Sequence, residues 1–216
     1  KYAYINIMNI CDLQTGDIVL VSNYEKGYFN LFLDMIRYGT HSDYVHIGMI
    51  VKDPSFTDKP LTGTFLWESS YEGTPDPQDG TVKLGVQLTE IDTLLKNYEN
   101  ATFFVRKFND YSLFTEKALK EVHTIAYDKP YDIHPKDWIH ALFQRDPTPQ
   151  LTSRFWCSAF VGLILTKVGI LSPETDWTIM RPSDFALDGE HLQYNTNVHL
   201  QETEFKLLKY QVAPKE

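Results

Sequence analysis

Cysteine is scarce in this chain. Only Cys11 and Cys157 occur among 216 residues, too few for a disulfide framework or a four-thiolate zinc site. Histidines show no metal-ligand spacing either. There is no H-E-x-x-H, and His134 and His140 stand apart across Pro135. Long apolar runs are missing. None approaches the about 20 residues that a spanning helix needs, so no integral membrane segment is expected. Clusters of Lys and Arg are missing too. With 20 basic residues against 29 acidic, the net charge is −9. A nucleic-acid backbone and an anionic bilayer surface are therefore unfavourable partners. No glycine-rich phosphate loop occurs, since Gly162 and Gly169 are isolated. The expectation is a protein with no cofactor and no metal.

What the chain does have is aromatic residues and β-rich runs. Its 13 Tyr and 13 Phe suit a dense core, and the length suits a single domain over residues 1–216. The runs "DIVLV", "YVHIGMIV", "TFLWESS", "TVKLGVQL" and "ATFFVRKF" predict strands, with one last strand in "VHLQETEFKLLKY". Apolar residues at Phe29, Phe32, Leu33 and Ile36 predict a helix that Gly39 ends. "TEIDTLLKNYEN" predicts a short helix capped by Thr89, and "SLFTEKALKEVHTIAY" a longer one that starts near Ser112 or Thr115. The segment "YEGTPDPQDG" predicts a loop. Four to six strands in a mostly antiparallel sheet with three or four helices make the fold class α+β. The first residue is Lys1 rather than Met, which tilts the expected setting toward export and the cell envelope. Oligomeric state is not legible.

Cys157 opens the run "FWCSAFVGLILTKVG". Phe160, Val161, Ile164, Leu165 and Val168 follow it at i+3, i+4, i+7, i+8 and i+11, which predicts one apolar helix face with the thiol at its N-terminal end. There the free N–H groups and the helix dipole stabilise a thiolate and can hold an oxyanion. A thiol nucleophile works best beside a histidine base. Of seven histidines, His46 alone sits inside an apolar β-branched run, with Tyr44, His46 and Gly48 expected on one face. His123 and His140 read as helix-surface residues, and His41, His134, His191 and His199 lie in loop-like or polar context. A base needs an orienting group on its far nitrogen. Glu68, on the next predicted strand and behind Phe65, Leu66 and Trp67, ranks first, ahead of Asp43, Glu72 and Asp17. Tyr44, Trp67, Tyr71, Phe155 and Trp156 are candidates for a pocket lining.

These segments in this order resemble a known group. "TGDIVLVSN", "SDYVHIGMIV", a strand carrying glutamate, "YDKPYD", "FWCSAFV" and "RPSDFA" are similar to the circularly permuted NlpC-type papain-like amidases, the YiiX/YaeF group. The similarity runs from about Leu13 to Ala186. It implies a permuted papain-like fold, with an antiparallel sheet packed against the cysteine-bearing helix. It also implies a Cys-His-Glu triad on Cys157, His46 and Glu68. Two positions depart from the pattern: Asp128 stands where glycine is frequent, and Ala159 where glutamate is frequent.

The expected activity is that of a cysteine hydrolase, an amidase or peptidase that cleaves an amide through a thioester. The substrate would be a small molecule, a peptide or a lipid amide. The alternatives are a lipid acyltransferase or thioesterase of the lecithin:retinol-acyltransferase-like type, and a non-catalytic binding module on the same scaffold.

Overall fold

The β-branched runs form a single twisted sheet. A computed structural model describes residues 6–22, 43–131, 153, 155–189 and 192–209. Seven strands are present among them: β1 (Asn6–Met8), β2 (Ile18–Ser22), β3 (Tyr44–Lys52), β4 (Thr64–Tyr71), β5 (Leu84–Glu90), β6 (Thr102–Phe108) and β7 (Leu200–Leu207). Their order across the sheet is β1-β7-β6-β2-β3-β4-β5. Each neighbouring pair is antiparallel except β1 and β7. The mixed sheet and three helices fit the α+β expectation. The strand that the sequence does not announce is β1, whose three residues are too few for a period-2 pattern.

The sheet has a core on each face. β2 sits in the middle, and all five of its residues are buried, which is why it reads as a continuous apolar run. Ile18 and Leu20 join Ile47, Met49, Trp67 and Leu88 on one side. Val19 and Val21 join Ile50, Leu66 and Phe103 on the other. The first side carries helix α2 (Glu116–Ala126) and helix α3 (Cys157–Lys167). The second carries helix α1 (Ile91–Asn97), which packs through Ile91, Leu94 and Leu95.

Helix α3 departs from the expected single apolar face. Each of its residues from Cys157 to Leu165 is buried. A helix apolar all round must be covered all round. The sheet covers one side, where Trp67 and Phe160 meet edge-on at 5.2 Å between ring centroids. The 3-10 turns Trp177–Ile179 and Pro182–Phe185 lie along the chain after it, and Trp177 packs on Phe155. Gly162 makes the close approach possible: a Cβ there would stand 2.7 Å from the Met180 sulfur and 2.8 Å from Trp177 Cβ.

Helix starts follow local chemistry. Thr115 caps α2 by accepting from the Ala118 N–H, so Thr115 rather than Ser112 is the start. Thr89 does not cap α1. The N-cap is Glu90, and Thr89 lies in β5 with its hydroxyl committed elsewhere. The predicted helix through Phe29 and Ile36 lies outside the described residues.

Candidate active site

The register of two strands brings His46 and Glu68 together. Met49 pairs with Trp67, so His46 and Glu68 fall on one face as diagonal neighbours, within reach of long side chains. The β3–β4 ladder runs from Lys52↔Thr64 to Met49↔Trp67. Beyond it β3 continues against β2 and β4 against β5, and the two residues stand at that parted end. His46 Nε2 meets Glu68 Oε2 at 2.5 Å, with both side chains buried. Thr89 Oγ1 donates to the other oxygen, Glu68 Oε1, at 2.7 Å.

Cys157 is the second hydrogen-bond partner of His46. With Nε2 turned to Glu68, Nδ1 is the ring nitrogen left for the sulfur. The thiol is carried there by a short arm. Phe155 N–H donates to Pro130 O at 3.1 Å, and Ser69 Oγ donates to Phe155 O at 2.7 Å. Ser69 is the next residue along β4 from Glu68, so one strand holds both the carboxylate and the arm. One residue past the thiol, Ser158 Oγ donates to Met180 O at 2.6 Å. Trp156, the N-cap, supplies no side-chain cap, and first-turn N–H groups have no partner within a helix.

Electrostatics tie the three groups into a unit. Burial alone would push the His46 ring down. Its hydrogen bonds with Cys157 and Glu68, and their charges, override that and raise it to about 10. Burial, then the charge of Glu72, push the Glu68 carboxyl up, against its hydrogen bonds with His46 and Thr89. Both shifts are upward, so the two groups titrate as a pair rather than singly.

The other sequence candidates separate cleanly. Asp17 is buried in a different place, paired with Lys107 at 2.7 Å and bonded by Tyr111. Asp43 is exposed. Glu72 is buried near the triad, though outside it. Tyr44 does not share the face of His46. The β2–β3 register shifts so that Val21 pairs with His46 and Ser22 with Tyr44. That leaves Val45 as the extra residue of a β-bulge. Val45 packs on the α1 side, while Tyr44 packs on the α3 side against Phe104 and donates to Glu204 at 2.7 Å. Trp67 and Phe155 belong to the core and line no surface; Tyr71 is the exposed member of that aromatic set. His123 is not on a helix surface: it is buried, stacked on Tyr127 and bonded to Gln78. His199 is exposed, and His41, His134, His140 and His191 lie outside the described residues.

Sequence reasoning missed Thr89, Ser69 and the surroundings of Glu72. Alternation was the available signal: Glu68 and Ser70 fall on one side of β4, and Glu72 follows directly after the strand, an unusual polar stripe for a stretch this apolar.

Compared with the known protein families and with the curated proteins, the chain finds no match in either. Among the described residues no helix is long and apolar enough to cross a membrane.

Proposed function

We propose that the protein is a cysteine hydrolase, an amidase or peptidase on a permuted papain-like scaffold, with Cys157 as nucleophile, His46 as base and Glu68 as orienting group. The observation that carries this reading is a buried histidine bonded on one side to a buried glutamate and on the other to a thiol at a helix start. Core packing alone gives no reason to bury a titratable ring between two further titratable groups.

In this mechanism Sγ attacks the carbonyl carbon of the amide, and the developing oxyanion takes N–H donors of the first α3 turn. The C–N bond then breaks, and the imidazolium gives its proton to the leaving amine. Water, deprotonated by His46, attacks the thioester carbon, releasing the acid and restoring the thiol. Glu68 keeps Nε2 engaged, so that Nδ1 faces the sulfur throughout. Acid–base transfer contributes about 10²–10⁴-fold and an oxyanion donor about 10²–10³-fold. Small-molecule, peptide and lipid amides all satisfy this chemistry.

The test is the pH dependence of iodoacetamide alkylation, followed by mass spectrometry with Cys11, which is exposed, as internal standard. The expected outcome is faster labelling of Cys157 than of Cys11 at pH 6, lost in His46→Ala. Equal labelling of the two thiols, indifferent to His46, sinks the reading. On an amide and ester panel, Cys157→Ala is expected to abolish turnover.

A further inference from the structure

We propose that Glu72 is a positioning residue for the triad: a second buried carboxylate behind Glu68 whose charge sets the pH range in which Cys157 and His46 act together. The proposal rests on the reading of Cys157, His46 and Glu68 as a catalytic unit and adds the group that regulates it.

Glu68, Ser70 and Glu72 alternate onto one side of the chain, and all three are buried. The hydrogen bonds around Glu72 run in a single direction. Gln87 Nε2 donates to Ser70 Oγ at 3.0 Å and to Ser70 O at 2.9 Å. Ser70 Oγ in turn donates to Glu72 Oε1 at 2.9 Å, and Gln87, which bonds it, is the cross-strand partner of Glu68. Tyr98 OH donates to Glu72 Oε2 at 2.7 Å. Both carboxyl oxygens therefore accept. Two donors aimed at one carboxyl favour its ionised form.

A fixed negative charge here is felt along the stripe. Glu68 registers it directly, as the largest influence on that carboxyl after burial. Among the described residues, the Tyr98 phenol after α1 bonds Glu72 directly and Glu68 on β4 feels its charge; His46 and Cys157 lie beyond Glu68, and Thr89, Ser70 and Gln87 are neutral. A negative neighbour opposes a thiolate and favours an imidazolium. Glu72 thus moves the formation of the thiolate and the loss of the imidazolium to higher pH together.

The experiment is the alkylation profile of Cys157 from pH 4 to pH 10 in the full chain, comparing wild type, Glu72→Gln, Tyr98→Phe and His46→Ala. Glu72→Gln removes the charge and keeps the shape. Its rising midpoint is expected to move to lower pH by roughly half a unit to one unit, which makes labelling on that limb roughly three- to tenfold faster. Tyr98→Phe removes a hydrogen bond and leaves the charge, and its midpoint is expected to stay. An unmoved midpoint in Glu72→Gln, or an equal shift in both variants, overturns the proposal. If His46→Ala does not change the profile, the triad reading falls and this proposal falls with it. If His46→Ala changes it while Glu72→Gln does not, only this proposal falls. Should Glu72→Gln not fold, carboxyl-carbon NMR of glutamate-labelled wild type carries the test: Glu72 is expected ionised at pH 7, and a protonated signal overturns the proposal.

Discussion

At the scale of single residues, Thr89 shows how little separates a structural hydroxyl from a functional one. Its Oγ1 satisfies Glu68 Oε1 while His46 takes Oε2, so the buried carboxylate has a donor on each oxygen. Thr89→Val keeps the shape and removes the donor. It is expected to lower stability by about 1–3 kcal/mol in urea unfolding and to slow Cys157 alkylation, whereas Thr89→Ser is expected to stay near wild type on both measures. In the sequence, Cys157, His46 and Glu68 stood out because each violates its surroundings: a thiol at a helix start and two titratable groups in apolar strands. Thr89 violates nothing. A threonine just before a helical pattern is chemically a good cap, and local sequence does not reveal that its hydroxyl turns to a neighbouring strand.

At the scale of elements, helix ends and bulges decide what is legible. The α2 C-terminus turns at Asp128, whose φ is 57°, the left-handed region that favours glycine. The backbone thus favours glycine there and tolerates aspartate. Asp128→Gly is expected to be neutral or stabilising by up to about 1 kcal/mol, read from the thermal midpoint. The exposed side chain gives up only a 3.7 Å contact with Lys83. The bulge at Val45 had no marker in the sequence. No glycine or proline signals it, and a strict period-2 reading put Tyr44 beside His46. The burial of His123 did have a marker. Leu119, His123 and Ala126 follow i, i+4, i+7, so the buried stripe of α2 includes it, but a titratable ring among charged neighbours resembles a solvent face.

At the scale of the whole molecule, that same histidine gives stability a pH dependence. Burial, and after it the charge of Lys120, push His123 down to about 4 from its usual 6.5. Between about pH 4 and 6.5 the unfolded chain therefore binds a proton that the folded chain refuses. Stability falls as pH drops through that window and stops falling on this account below about 4. The loss is up to about 3 kcal/mol. In chemical unfolding at pH 7 and pH 4.5, His123→Gln, which can still donate to Gln78, is expected to show a smaller difference than wild type. An equal difference would assign the acid sensitivity to other groups.

The parallel pairing of Asn6 with Phe205 and Met8 with Leu207 sets the first and last strands of the described residues side by side at one rim of the sheet. Entry into β1 and exit from β7 therefore lie at the same rim. Joining the ends with a flexible tether and reopening the chain at exposed Ser112 would leave the strand order intact. It would also reverse the order of appearance, so that Cys157 precedes His46 along the chain. Such a rewired protein is expected to refold, with a circular dichroism spectrum like that of the parent and the same His46-dependent labelling of its thiol. Failure to fold would mean that β1 and β7 must stay unlinked for the rim to close.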